Sequence, residues 1–310
     1  MKVLITGCSG YIGSSLTTRL LNLGHQVYGV DINLFSSDAL NHLFLNKNFI
    51  FSKFDVREKQ KLKKIISKVD LIIPLAGIVG APLCDKKKKD AKSINYDAIK
   101  YICKIKSKSQ RIIYPTTNSG YGVGKKNEFC DEKTALNPIS LYGVTKVEAE
   151  KVVLNTENSI SFRLATVFGY SYRMRTDLLV NNLVLLAYKK RKIEVFEPHF
   201  RRNYIHVSDV VEGFNFANSN FKKMKNNAFN LGLSDANLTK IQLVKKIKSH
   251  IKDLKIIIVK NKKDPDKRDY FISNKKIERI GYFPKISIDE GIIELIKLYK
   301  YSELKFKNNY

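Results

Sequence analysis

Three residues have the types and spacing to hold an oxygen and move a proton. Thr117 sits in the run Tyr114-Pro-Thr-Thr117-Asn118-Ser119-Gly-Tyr121-Gly, and Tyr142 and Lys146 follow it, Tyr142 by 25 residues. A tyrosine and a lysine at i and i+4 share one face of a helix. A phenol near pKa 10 is a poor base at neutral pH. An ammonium beside it favours the phenolate, and reaching about 7 takes roughly 4 kcal/mol at 1.36 kcal/mol per unit. A threonine hydroxyl could hold and polarise a substrate oxygen. The Tyr-x-x-x-Lys spacing also occurs at Tyr96, Tyr121, Tyr188 and Tyr301. Only the Tyr142 copy opens a helical stretch shortly after a hydroxyl-bearing strand end.

A second constellation lies at the start of the chain. Gly7-Cys-Ser-Gly10-Tyr-Ile-Gly13 follows a strand-like run and precedes a helical one. Glycines so placed permit a tight turn and a close approach of backbone to a pyrophosphate. The helix start then offers free N–H groups and a partial positive charge. Asp31 ends the next strand, 24 residues after Gly7. A carboxylate there would bond the adenosine ribose hydroxyls and repel a 2′-phosphate, so the expected cofactor is NAD rather than NADP. Asp55-Val56, after the third strand, would lie near the adenine; the alternative for Asp55 is a simple helix cap.

The elements that must position these residues alternate. Val3–Thr6, Gln26–Asp31, Asn48–Phe54, Leu71–Leu75 and Arg111–Pro115 read as buried strands. Tyr11–Leu23, Arg57–Val69 and Asp90–Lys106 read as helices between them, and a helix Leu141–Leu154 and a strand Ser159–Leu164 continue the rhythm. The predicted fold class is α/β, a Rossmann doubly wound parallel sheet. Beyond Gly169 we expect a helix over Thr176–Lys189, strands at Ile193–Phe196 and Tyr204–Val207, a helix from an Asn237 cap to Ile251, and a last helix Ile288–Tyr301. The expected organisation is an NAD-binding domain, residues 1–168, and a smaller C-terminal α/β substrate-binding lobe, 169–310, with some elements returning to the first.

Composition bounds the function. The 310 residues are 44% hydrophobic, enough for a real core. No apolar run reaches the ~18 residues of a membrane span, and the start does not read as a signal peptide, so a cytoplasmic protein is expected. Cys8, Cys84, Cys103 and Cys130 are widely spread, without a CxxC pair; this argues against a metal site or a disulfide scaffold. The net charge of +27 invites a nucleic-acid reading. Its lysines are scattered, however, with one dense run at Lys86–Lys89 and no interleaved aromatics. Solvated surface lysines are the plainer account.

With these residues in place, the chain resembles the extended short-chain dehydrogenase/reductase family, the NAD-dependent epimerase/dehydratase group acting on nucleotide sugars. The likeness covers nearly the whole chain. It rests on GCSGYIG, Asp31, PLAGIVG, Asn95 in SINYDA, PTTNSGYG, LYGVTK, RRNYIHVSD with Arg202, and KRDYFISNKKIERIGYFP with Arg268. The segments IIPLAGIVGAPLC, FRLATVFG, RMRTDLLVN, HFRRNYIHV and DPDKRDY resemble enzymes that oxidise C4 of GDP-heptoses in bacterial surface-polysaccharide pathways.

The resemblance implies roles. Tyr142 takes a proton from a sugar hydroxyl, and Lys146 bonds the nicotinamide ribose and tunes Tyr142. Gly7, Gly10, Tyr11, Ile12, Gly13, Asp31, Asp55, Val56, Leu75, Ala76, Gly77, Thr116, Tyr142 and Lys146 are the expected cofactor residues. Val79, Thr117, Asn118, Ser119, Arg175, Arg202 and Arg268 are the expected substrate residues, with both late arginines gripping a diphosphate. A homodimer through Asp90–Lys106 and Leu141–Leu154 is also implied. Family dehydratases place Asp-Glu after the threonine, whereas this chain has Asn118-Ser119, neither a credible acid or base for eliminating water. The position of the cysteine that serves C3/C5 epimerisation is Ser119. Oxidation at C4, or oxidation followed by return of the hydride to the other face, is what remains. A non-catalytic NAD-binding regulator and a scaffold with a basic face are the readings from other classes. Arg173 stays open between surface and substrate roles. His199, His206, Cys84 and Cys130 read as structural.

Overall fold

The computed structural model describes residues 1–35, 38–125, 128–259 and 268–302. In chain order the strands are β1 (Lys2–Thr6), β2 (Gln26–Asp31), β3 (Phe49–Lys53), β4 (Leu71–Pro74), β5 (Arg111–Thr117), β6 (Phe129–Cys130) and β7 (Ser159–Leu164). They continue with β8 (Thr166–Phe168), β9 (Lys192–Val195), β10 (Arg201–His206), β11 (Asn227–Leu231), β12 (Asn237–Thr239), β13 (Lys255–Ile258) and β14 (Phe271–Ile272). The helices are α1 (Tyr11–Asn22), α2 (Lys59–Ile66), α3 (Ala81–Lys86), α4 (Lys88–Lys92), α5 (Ala98–Ile105), α6 (Leu141–Leu154) and α7 (Leu179–Lys190). After these come α8 (Val207–Ser219), α9 (Phe221–Met224), α10 (Lys240–His250), α11 (Lys275–Glu278) and α12 (Ile288–Tyr301).

The main sheet is parallel, in the order β11-β7-β5-β4-β1-β2-β3. Helices cover both faces, so the inner strands are apolar throughout: Val3, Leu4, Ile5, Leu71 and Ile72 are fully buried. The order reverses between β1 and β4, and the carboxyl ends of these strands open there into a crevice. Strands β12, β10 and β8 make a small second sheet, and β13 pairs with β9. A second apolar cluster, from Phe168 and Val180 to Leu295, fills the substrate lobe.

Two elements from the second lobe join the first, and three helices begin elsewhere than the sequence predicts. The seventh strand, β11, and α8 both come from beyond residue 168 and pack into the main core through Val210, Phe214, Phe229 and Leu231. The helix expected from Asn237 begins at Lys240, capped by Thr239 in a capping box with Gln242. Asn237 lies in β12 instead, and its amide bonds both the N–H and the C=O of Ile272 at 2.8 and 3.0 Å. The helix expected over Asp90–Lys106 starts at Lys88 and is broken by a π-turn at Ser93–Asp97. The helix expected from Thr176 starts at Leu179. Among the described residues no helix is long and apolar enough to cross a membrane. Among them, too, no group of three or more His, Cys, Asp or Glu is placed to hold a metal ion. The four cysteines are buried and unpaired.

Candidate active site

The crevice is a cavity of about 570 Å³, walled on one side by the ends of β1, β2, β4 and β5 and on the other by Arg173, Arg175, Asp177, Leu178, Leu179, Asn182, Arg202 and Arg268. At its floor the chain leaves β1 through Gly7 with φ +74°, a conformation L side chains resist. A Cβ at Gly7 would stand 2.6 Å from the Ala76 nitrogen, and one at Gly13 only 2.0 Å from the Gly7 carbonyl oxygen. Gly10 starts α1 without a side-chain cap, so the first-turn N–H groups face the cavity as an anion site. The residues present therefore fit a dinucleotide: glycines where a side chain would close the cradle, and uncapped donors for a pyrophosphate.

Asp31 closes the adenosine end. Its carboxylate accepts from the backbone N–H of Ser9 at 3.0 Å and of Asn33 at 2.9 Å. Burial pushes its pKa up, against these bonds. Asp55 lines the same end but is held by the Arg57 fork, at 2.9 and 2.7 Å. That fork keeps its carboxyl below the usual range. Ile12, Val56, Leu75, Ala76, Gly77, Val79 and Thr116 are all on the cavity wall. Tyr11 is there too, while its hydroxyl donates to the Gly169 carbonyl at 2.7 Å and ties α1 to the second lobe.

The loop after β4 is fixed by Asn95, which sits in the π-turn. Its amide accepts from the Ile78 N–H at 2.8 Å and donates to the Ile78 carbonyl at 2.9 Å. A π-turn is a rare local strain that often marks a functional position. Asn95 is 1% exposed, so those bonds are shielded from water.

At the other end of the crevice β5 delivers Thr117, and α6 delivers Tyr142 and Lys146. Ser140 caps α6, accepting from the Gly143 N–H at 3.2 Å, which places Tyr142 in the first turn. The Lys146 Nζ lies 4.1 Å from the centroid of the buried Tyr114 ring. Burial draws its pKa down to about 7, against the carboxylate of Glu150 one turn further on. Glu150 is itself gripped by the Arg163 guanidinium at 2.8 and 3.0 Å. Thr117 and Ser119 share a hydrogen bond of 2.8 Å between their hydroxyls, and the Arg268 guanidinium donates to Ser119 Oγ. The Arg202 guanidinium donates to the Arg268 carbonyl oxygen. The Arg268 segment reaches this position because the next residue, Asp269, is held by the Arg201 fork at 2.7 and 2.9 Å. Residues 264–267 of the DPDKRDY segment lie outside the described residues.

Of the expected site residues, the structure gathers all around one cavity except Asn118. That residue is 1% exposed and does not line the cavity. β5 ends at Thr117 and the chain enters a 3-10 turn, so the strand alternation that would bring residues to one face is lost there. Arg175 lines the cavity in a buried ion pair with Asp177. His206 caps α8 and meets Glu294 at 2.9 Å, a structural tie. The cavity also includes Phe35, Ser140, Asp177, Asn182 and Tyr270, which the sequence motifs did not single out.

A doubly wound sheet whose crevice joins a dinucleotide cradle to a Thr, Tyr and Lys set is the architecture of an NAD-binding enzyme. The chain belongs to the NAD dependent epimerase/dehydratase family, whose model matches residues 3–232, and NAD is its cofactor. It is 30% identical over 230 residues to an uncharacterized UDP-glucose epimerase, YtcB, of Bacillus subtilis, covering 69% of this chain and 71% of that one. It is 28% identical over 315 residues to UDP-glucuronic acid decarboxylase 1 of Arabidopsis thaliana, covering 96% and 69%. Among solved structures, UDP-glucuronic acid 4-epimerase from Bacillus cereus superposes with a TM-score of 0.85 over 97% of this chain and 99% of that one, at 23% identity. The dTDP-glucose 4,6-dehydratase of Bacillus anthracis does so with a TM-score of 0.82 over 98% and 97%, at 20% identity.

Proposed function

We propose that the protein oxidises a nucleotide-diphosphate sugar at C4, a GDP-linked heptose or a related sugar, to a 4-keto sugar for surface-polysaccharide biosynthesis. The observation that carries this reading is where the acids stand. The carboxylates lining the cavity, among the described residues, are Asp31, Asp55 and Asp177. The first two belong to the adenosine end and the third is paired with Arg175. Beside Thr117 there are hydroxyls and an arginine, which can hold a sugar but cannot relay the protons of an elimination. Thr117 Oγ1 would hold the C4 oxygen, and Tyr142 would take its proton. Lys146, once charged, would stabilise the phenolate and bond the nicotinamide ribose. Bound NAD supplies the hydride acceptor. Arg202 and Arg268 would meet the diphosphate, with Val79 and Ser119 against the sugar. The guanosine and heptose assignments rest on the sequence segments; the nucleotides named for the relatives above are uridine and thymidine.

A second reading, a 4-epimerase, is favoured by the name of the Bacillus subtilis relative. It uses the same oxidation and returns the hydride to the other sugar face. Nuclear magnetic resonance of the product separates the two: a C4 ketone signifies the dehydrogenase, an inverted C4 proton the epimerase. A product that has lost water or carbon dioxide would contradict both. A dimer through the α5 and α6 helices is part of the proposal. Tyr101 and Val152 lie half-exposed there among Lys100, Lys104 and Lys151, and a cytoplasmic location goes with it.

A further inference from the structure

We propose that Tyr114 is a positioning residue for the oxidation, the face of its buried ring holding the Lys146 ammonium at the edge of the crevice. Only the use made of that charge rests on the proposed function; the contact rests on the geometry. Tyr114 lies in β5, three residues before Thr117, and is fully buried. Residues an odd number apart on a strand point to opposite faces. Thr117 therefore turns to the cavity while Tyr114 turns under α6, where it shares an apolar cluster with Ala149 and Val153. The Lys146 Nζ stands over its ring, 4.1 Å from the centroid. That is well inside the ~6 Å within which a ring quadrupole attracts a cation. Lys146 also lines the cavity, as Tyr142 does. The same ammonium thus has an aromatic face behind it and the crevice in front.

The surroundings leave the ring a part to play. The groups that face Lys146 are Tyr142 and Glu150 on its own helix, Tyr114 on β5 and Cys84 on α3. The Glu150 carboxylate is shared with the Arg163 guanidinium and the Ser161 hydroxyl. Burial pushes the Cys84 thiol up to about 11, so it is uncharged near neutral pH. Burial holds the Tyr114 phenol well above its ordinary value too, and this residue acts through its π face alone. Its hydroxyl has no hydrogen-bond partner among the described residues, so the hydroxyl does not anchor it. Burial draws Lys146 down to about 7, and an aromatic face opposes that fall because it favours ammonium over amine. Unlike a carboxylate, the ring accepts no directed hydrogen bond. The three N–H donors of the ammonium are left for partners in the crevice, the nicotinamide ribose and the Tyr142 phenolate.

The test is nuclear magnetic resonance of the full chain with NAD bound and its lysines isotope-labelled. The Lys146 signal is assigned by its loss in Lys146→Met and followed from about pH 5 to about pH 10. Tyr114→Phe keeps the ring and drops the hydroxyl. Pentafluorophenylalanine at position 114 keeps the shape and reverses the ring quadrupole. We expect the Lys146 midpoint to stay within about 0.3 pH unit in Tyr114→Phe and to fall by about one unit with the fluorinated ring. The alkaline limb of 4-keto sugar formation should fall with it. A fluorinated protein that titrates as wild type does overturns the proposal. So does a Tyr114→Phe protein that shifts as far as the fluorinated one. If the fluorinated chain does not fold, Tyr114→Leu decides by the same fall, and an unmoved midpoint there overturns the proposal. A wild type silent toward every nucleotide sugar would sink the proposed function, while the titration still judges the ring.

Discussion

The hydroxyls of Thr117 and Ser119 lie 2.8 Å apart, with the Arg268 guanidinium on the far side of Ser119. This short chain ends in a permanent cation instead of a carboxylic acid. It can orient a sugar hydroxyl and balance a negative charge, but it has no group that gives and takes a proton near pH 7. Replacing Ser119 with Glu would supply such a group beside Arg268. We expect Ser119→Glu to lower 4-keto sugar formation by about 10² and to bind NAD normally. Unchanged turnover, read from product spectra, would show that residue 119 does not face the sugar.

Tyr142→Phe removes the hydroxyl expected to take the proton. A general base in this role contributes about 10²–10⁴ in rate. The variant should bind NAD and the nucleotide sugar as wild type does and lose turnover by that factor. Retained turnover in a stopped-flow assay would remove Tyr142 from the reaction.

Lys146 carries a stability cost with a definite sign. Its folded pKa, about 7, lies below the unfolded value, near 10.4. Below pH 7 both states are charged and the folded state bears the whole desolvation cost. As pH rises toward 10 the unfolded chain alone stays protonated, so the cost fades and stability rises. Lys146→Met should therefore stabilise the cofactor-free protein at pH 6.5 and much less at pH 9.5. Melting curves with the same offset at both pH values would contradict the buried-ammonium account.

Asp31 should decide which dinucleotide binds. Its carboxylate is half-buried and raised in pKa by desolvation, and a 2′-phosphate there would meet a second negative charge. Asp31→Asn should weaken NAD binding by about tenfold, the loss of roughly one charged hydrogen bond, and narrow the preference over NADP. A wild type that binds both equally well in calorimetry would refute the assignment.

Asn95 is a positioning residue. Asn95→Ala leaves the buried N–H and C=O of Ile78 unpaired, at about 1–3 kcal/mol, and releases the loop that carries Gly77 and Val79. A lower melting temperature with a raised KM is expected; an unshifted melting temperature would mean that the loop holds itself.

Where local pattern and packing agree, the sequence was readable to the residue: β2, β7, α6 and α12 run as their periodicity predicts. The glycine loop was legible because steric exclusion at Gly7 and Gly13 leaves no substitute. β11 was not. Asn-Ala-Phe-Asn-Leu is short and asparagine-rich, and it becomes a strand because Asn230 bonds Tyr121 at 2.7 Å and Phe229 and Leu231 complete the core. Helix α8 did carry a signal, with Val207, Val210, Val211, Phe214 and Ala217 on one face. Asn237 was misread because a cap preference is local, whereas its partner Ile272 is 35 residues away. Asn118 stands off the cavity wall because motif adjacency does not fix which way a side chain faces once a strand ends. Arg173 and Phe35 come together only through the packing of the second lobe on α1, which no local pattern records.

The central claim is a hydride transfer from C4 to NAD, and a single-turnover absorbance trace of the NAD-loaded protein tests it most directly. GDP-, UDP-, CDP- and dTDP-linked sugars would be mixed in one at a time, and the band of reduced nicotinamide followed. The account predicts that the band rises and persists with one GDP-sugar, in an amount equal to the enzyme. A flat trace with every sugar, while NAD stays bound and no sugar is altered, would contradict it.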